Sequence, residues 1–422
     1  MIFIIFTLFF SWIVYKFSFF QIGNLSKPFL IGVWLLKSVA AWFYCEYHII
    51  HANGADTLGY FRDAAMISRL LFEQPMIFLE LVFAPSAHYP VPEHIEPYVD
   101  KMGWWHTPQT YFIIRFHAVI SLFTFQSFHT NALFFSFMAF AGIVAFARAI
   151  VQLLPEFSKF ALFPLFLLPS LIFWTSGGHK ESFLIFCFGF SLYFQICWFR
   201  EKRFYYLLLM VLFFLGIFFS RKYIAFFVCP FLVANFLVYY TKRYQYSIVA
   251  MFWVFWLVVF AFIEFPNIQM NYLEAIQDKY LQFQTLATGN THFELAYFET
   301  GLLHILSRFP ESFFNSFLRP SGLIGFGLWQ TITALENIGI VLIILICIFY
   351  FDRSKLHPYL INLLIYSALV LILLGFIVPN AGAIVRYRII IFPLFVLFFS
   401  LTAKDKLYKY IYGLIPFIRP LK

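Results

Sequence analysis

The stretch YLINLLIYSALVLILLGFIV (359–378) carries no charged residue along its length. Roughly 20 apolar residues suffice for a helix to cross the hydrocarbon core of a bilayer, so this segment reads as a transmembrane span. Similar stretches recur near 1–20, 28–49, 109–127, 131–152, 159–174, 182–198, 204–220, 222–240, 247–264, 335–351 and 388–403. The expected fold is therefore all-α, a polytopic transmembrane helix bundle of about 11–13 spans. Composition agrees. Hydrophobic residues make up 62% of the chain and charged residues 12%, with a mean hydropathy of +0.83. A soluble domain carries about 25% charge.

The 64 Phe residues supply lipid-facing and helix-packing bulk and carry no chemistry. Cys45, Cys187, Cys197, Cys229 and Cys347 lie in or beside apolar stretches without metal-type spacing. That pattern argues against a disulfide framework and against zinc. The first span has neither a basic leader nor a small-residue cleavage site, and is expected to be a retained helix.

Basic loops set the orientation. Lys16 and Lys27 flank the first connection, and REKR (200–203), TKR (241–243), DRSK (352–355) and KDKLYK (404–409) follow. The positive-inside rule places all of them in the cytoplasm. They also account for the formal charge of +9, so no nucleic-acid partner is expected. Residues 51–108, 265–334 and the short connections near 175–181, 220–223 and 379–387 then face the other side. The chain reads as a single integral membrane domain, 1–422, with a first outer loop (51–108) and a second (265–334). Both suit short surface helices; NYLEAIQDKYLQFQ (271–284) is amphipathic. Between residues 108 and 175 the crossings must be even, yet three apolar segments occur. The segment 159–174 holds Pro164 and Pro169, so a broken or re-entrant helix is expected there.

Polar residues on the outer side are the functional candidates. GADTLGYFRDA (54–64) opens the first outer loop with Asp56 and Asp63 just beyond a span. A carboxylate part-desolvated at the membrane edge is costly, hence a candidate by default. The two lie seven residues apart, on one face if the loop is helical there. Tyr60 and His106 are further catalytic or acceptor-binding candidates. LPSLIFWTSGGHKES (168–182) sets His179, Lys180 and Glu181 at the start of a span, where a helix N-terminus beside a lysine favours anions. SRKY (220–223) adds Arg221 and Lys222, NAGAIVRYR (380–388) adds Arg386 and Arg388, and SFLRP (316–320) adds Arg319. These cations run against the charge bias of that face and suit a phosphate, which arginine grips with two N–H groups. His88, Glu93, His94, Glu96 and His106 are irregularly spaced in a Pro-rich loop, so no metal is expected. Nucleotide-binding glycine patterns are absent, and no cofactor is expected.

Taken in order, D-x-x-x-Y-F (56–61), PS-x-x-FW-x-S-G-x-x-K-E (169–181), R-K-Y (221–223), F-x-RP (317–320) and N-x-G-x-x-x-RYR (380–388) resemble a family. The chain is similar over nearly its whole length to bacterial members of the polyprenol-dependent (GT-C) membrane glycosyltransferase superfamily, near the dolichyl-phosphate-mannose protein mannosyltransferase-like group. It lacks the adjacent Asp-Glu pair of that group, and two spans precede the acidic loop where one is usual. The resemblance implies that Asp56 is the catalytic carboxylate. It also implies that Lys180, Arg221, Lys222, Arg386 and Arg388 hold the donor phosphate, with His179, Glu181 and Arg319 as weaker candidates.

The expected activity is transfer of a sugar from a polyprenyl-phosphate-linked donor to a glycan, lipid or protein acceptor at the outer face of a bacterial plasma (inner) membrane, with membrane lipids as further partners. A carboxylate takes the acceptor proton, and fixed cations receive the departing phosphate. A repeat-unit polymerase or ligase of surface polysaccharide, using a polyprenyl-diphosphate-linked glycan, is the alternative enzyme. A lipid-linked oligosaccharide flippase or transporter is the non-enzymatic one. It calls for charges within spans, of which Lys37 is the clearest.

Overall fold

The computed structural model describes the chain except residues 24, 52–54, 84–89, 156–158, 242, 263, 266–269, 287–290, 296, 298–301, 322–326 and 415–422. The described residues fold almost wholly as helices, the apolar ones because a helix satisfies its own backbone groups within a bilayer. In chain order these are α1 (Ile2–Lys16), α2 (Lys27–His51), α3 (Ala55–Glu73), α4 (Pro75–Phe83), α5 (Glu96–Val99), α6 (Pro108–Phe123) and α7 (Phe128–Leu153). Next come α8 (Phe163–Leu167), α9 (Pro169–Trp174), α10 (Lys180–Glu201), α11 (Phe204–Ser220), α12 (Lys222–Tyr240) and α13 (Gln245–Phe262). The last are α14 (Tyr272–Leu286), α15 (Leu302–Leu318), α16 (Leu328–Phe349), α17 (Pro358–Ile377), α18 (Ala381–Arg388), α19 (Phe392–Thr402) and α20 (Asp405–Leu414). Between α13 and α14, β1 (Glu264–Phe265) and β2 (Met270–Asn271) form a two-stranded antiparallel pair, with Glu264 opposite Asn271.

The fold class is the all-α polytopic bundle that the composition implies. Among the described residues, six helices are long and apolar enough to cross a membrane: α2, α7, α10, α12, α16 and α17. The pair α18 and α19, bent by 57°, makes a seventh if it is one span. α1, α11 and α13 are apolar but shorter. Six or seven spans of full length is fewer than a count of apolar runs suggests, because several runs are cut short by polar ends or by proline. The segment 159–174 is broken as expected, into a 3₁₀ turn (Lys159–Leu162), α8 and α9, with Pro164 and Pro169 opening the two short helices.

Contacts group the chain into two compact units where the sequence suggests one domain. The first unit comprises Met1–Pro155 and Leu171–Ala225, the second Glu156–Ser170 and Phe226–Arg419. Apolar runs report membrane insertion but not which helices prefer one another, so this division has no signature in hydropathy.

In the first unit α7 and α10 form the centre, with α1, α2 and α11 packed around them. Gly142 and Gly189 bring α7 and α10 together so closely that a Cβ on either would collide with the facing backbone. Small residues allow such approach between helices in lipid, where dispersion and not water exclusion drives association. Arg148 on α7 donates from Nη1 to the carbonyl oxygens of Ser18 (3.0 Å), Phe19 (3.0 Å) and Gln21 (2.8 Å), tying down the connection between α1 and α2. The described part of the stretch 51–108 forms α3, α4 and α5, which pack with α6 around Ile67, Leu81, Trp105, Tyr111 and Ile114.

In the second unit α17 is central, contacting α13, α14, α15, α18 and α19. Asn362 on α17 accepts from Trp253 Nε1 at 2.7 Å and donates to Phe231 O and Asn235 Oδ1, each at 2.9 Å, so its buried amide is satisfied. α15 and α17 meet at Gly375, where a side chain would strike the Ser312 backbone. The N-terminus freed by the break at α9 is capped from α16: Ser170 N and Oγ donate to Glu336 Oε1 at 3.1 and 2.9 Å. A broken helix inside a membrane protein needs such a partner.

Candidate active site

The first unit gathers most of the candidate residues at helix ends. Asp56 occupies the first turn of α3, half-buried, where a carboxylate is favoured by the helix dipole. Asp63, two turns on along the same face, is buried, and its carboxylate accepts from the backbone N–H of Gly103 (3.3 Å) and Trp104 (3.1 Å). Burial raises the Asp63 pKa above the ordinary carboxylate value, against the lowering effect of those two N–H groups. Tyr60, between the two carboxylates, is buried, with its ring edge-on to Trp104 at 5.2 Å. Gly59 faces the Trp104 indole, so α3 is seated on the segment that leads into α6. His106, in that segment, is exposed.

The turn between α9 and α10 carries a second group of the candidates. His179 is the buried N-cap residue of α10, and its ring lies 5.1 Å from that of Tyr44. Lys180 donates to Thr110 Oγ1 at the start of α6, at 2.7 Å. Glu181 is fully buried and paired with Arg221 Nη2, while Arg221 Nη1 donates to the Tyr223 hydroxyl. A buried pair of this kind offsets its desolvation only through close geometry and further hydrogen bonds. Lys222 is exposed, its ammonium 6.0 Å from the Phe218 ring. Among the described residues, the hydroxyls of Tyr44, Thr57 and Ser220 are buried without a hydrogen-bond partner. They stand against Gly177, beside Asp56 and beside Arg221 respectively.

The remaining cations belong to the second unit. Arg388 is 1% exposed and donates to Ser316 O (2.8 Å), Phe317 O (2.7 Å), Arg319 O (3.3 Å) and Asn337 Oδ1 (2.5 Å). Its guanidinium thus caps the C-terminus of α15, a place where cations are favoured. The sequence offers it as a phosphate ligand; the structure gives it a packing task. Arg386, two residues earlier, is half-buried at the end of α18 with its guanidinium 5.7 Å from the Tyr387 ring. Arg319 donates to Asn315 Oδ1 at 2.9 Å and lies over the Phe293 ring at 3.9 Å.

Sequence reasoning missed two site residues, His117 and the role of Lys37. His117 on α6 is buried, with Nε2 donating to Gly178 O at 2.8 Å. Lys37 on α2 reaches Thr175 and Ser176. A charge inside a span was the only available signal. His94 pairs with Glu80 at 2.6 Å in exposed positions, and no cluster of three metal-type ligands occurs among the described residues. Comparison with family models, with curated proteins and with solved structures finds no match.

Proposed function

We propose that the chain is a membrane glycosyltransferase that moves a sugar from a polyprenyl-phosphate-linked donor to a glycan, lipid or protein acceptor, with Asp56 as the base. The observation that carries this reading is the series of polar contacts along the helix ends of the first unit. It runs from Asp63 with the 103–104 backbone, through Thr110 with Lys180, to Glu181 with Arg221 and Tyr223. Carboxylates and cations thus share one compact unit, as transfer from a phosphate requires.

In the reaction the acceptor hydroxyl oxygen attacks the anomeric carbon as its proton passes to Asp56. The bond from that carbon to the donor phosphate breaks, and polyprenyl phosphate leaves with both electrons. General-base assistance of this kind contributes typically 10²–10⁴-fold. Arg221 is already held by Glu181 and Tyr223 and braces the start of α10. Beside it, Lys180 supplies fixed positive charge for the departing phosphate, and preorganised charge in a water-poor site is worth more than in solvent. Lys222 and Arg386 remain candidates for the same role; Arg388 does not, since its donors are committed to α15. The reading places the site on the outer side of a bacterial plasma membrane.

The test is sugar transfer from a polyprenyl-phosphate donor by the purified chain in reconstituted membranes. Asp56→Asn should lower transfer about 10²–10⁴-fold while the protein still inserts and folds. Full activity in Asp56→Asn removes the proposed base and moves the reading to a polymerase or ligase acting on a polyprenyl-diphosphate-linked glycan.

A second reading, a flippase or transporter of lipid-linked oligosaccharide, draws on the 57° bend between α18 and α19 and on the buried charge of Arg388 beside it. Discontinuous spans with buried charges line the sites of many transporters. Translocation of a lipid-linked glycan across liposomes, without transfer, supports that reading over the first.

A further inference from the structure

Lys37 lies midway along α2 and is 1% exposed. Its ammonium has three acceptors, Thr175 Oγ1 at 2.7 Å, Thr175 O at 3.2 Å and Ser176 Oγ at 3.3 Å. None is a carboxylate, and both residues directly follow α9. Ser136 on α7 approaches the same place, its hydroxyl 3.3 Å from Ser176 Oγ. An ammonium has three N–H bonds, and here each meets an oxygen at the C-terminal end of a half-helix, where positive charge is favoured.

Two residues on, the Gly178 carbonyl accepts from His117 Nε2 at 2.8 Å. The other ring nitrogen of His117 lies 2.6 Å from Asn131 Oδ1. The Asn131 amide is itself fixed, donating to His117 O (3.2 Å) and Ser121 Oγ (2.8 Å). The turn admits this approach because it carries glycine: a Cβ on Gly177 would strike the Tyr44 ring, and one on Gly178 the His117 ring. Side chains from α2 and α6 therefore hold the first and last carbonyls of the turn 175–178, immediately before His179, Lys180 and Glu181.

We infer that Lys37 and His117 are positioning residues that clamp the turn 175–178 and so fix the direction in which Lys180 and Glu181 leave it. A charge in a span is costly and is retained where it has a task. A cation on a transport path exchanges partners as cargo passes; one whose three hydrogens are all bonded to a single turn is suited to holding that turn. The activity part of the inference rests on the proposed transferase reading, whereas the structural part does not.

The test uses the full chain in nanodiscs, with hydrogen–deuterium exchange followed on peptides spanning 171–185. Lys37→Met and His117→Leu remove the clamps, while Lys37→Gln and His117→Gln keep an N–H that reaches the same carbonyls. Exchange across 175–179 should quicken about tenfold or more in Lys37→Met and His117→Leu, and stay close to wild type in His117→Gln, with peptides of α17 unchanged. Where the wild type transfers sugar, Lys37→Met should lower kcat/KM about tenfold or more, with part of the loss restored in Lys37→Gln. Wild-type exchange over the turn in folded Lys37→Met and His117→Leu overturns the inference. If Lys37→Met does not fold, the His117 pair decides it. Absence of transfer by the wild type overturns the transferase reading and leaves exchange to decide the clamp.

Discussion

Arg388 commits its guanidinium to three backbone carbonyls and one amide oxygen, all in the interior of the second unit. Replacing it with methionine strips those acceptors of their donor, and each buried group left unsatisfied costs about 1–3 kcal/mol. Arg388→Met should therefore lower Tm in detergent, with no change in the KM for a lipid-linked donor in whatever protein remains folded. Arg388→Lys keeps the charge but loses the fork, and should fall between the two. Asp63 offers a pH test. Its carboxyl holds a proton more tightly when folded than when unfolded, because burial raises its pKa. Stability then falls as pH rises from the ordinary carboxylate value through the folded one, and stays lower above it. Asp63→Asn should flatten that fall in a Tm-against-pH series. Retention of the wild-type slope would show that another group is responsible. That an arginine at the edge of an apolar run had some purpose was legible in NAGAIVRYR (380–388); which purpose was not, because Ser316 and Asn337 are 72 and 51 residues away in sequence.

Helices were more legible than side chains. The span read at 359–378 appears as Pro358–Ile377, since an uninterrupted apolar run in lipid has only one way to satisfy its backbone. The prolines at 164 and 169 foretold the break before α9. The partner that caps it, Glu336, lies 166 residues further on and had no local signature. Glycine at the crossing of α7 and α10 leads to a prediction at this scale. Gly142→Leu or Gly189→Leu must push the two helices apart, and overpacking of this kind costs typically about 1–3 kcal/mol. Expression of folded protein should fall sharply in either variant. Gly32, which a Cβ would leave free of contact within 4 Å, should accept alanine with little effect on yield.

At the scale of the whole molecule, the apolar content established the class, and the basic loops imply a topology. REKR (200–203), TKR (241–243) and DRSK (352–355) should share the cytoplasmic side, and 265–334 should lie opposite. Single cysteines introduced at these positions into a chain freed of its own five provide the check, with a membrane-impermeant maleimide on intact cells. Labelling at position 202 from outside would invert the map and take Asp56, Lys180 and Arg221 with it. The division into two units was invisible beforehand, since a hydrophobic run carries no label for its neighbours. For the same reason, the pairing of Glu181 with Arg221, 40 residues apart, could be tested only in three dimensions.

The hold of Arg148 on the α1–α2 connection also has a consequence for the order of assembly during synthesis. Gln21 and Arg148 are separated by 127 residues, and translation adds about 5–20 residues per second, so the ribosome delivers the arginine roughly 6 to 25 seconds after the carbonyls it will bind. Throughout that interval the oxygens of Phe19 and Gln21 lack the donor that will hold them, while Ser18 O already accepts from Gln21 N at 3.0 Å. The α1–α2 hairpin therefore enters as an unlatched pair, and the arrival of α7 is the event that fastens it.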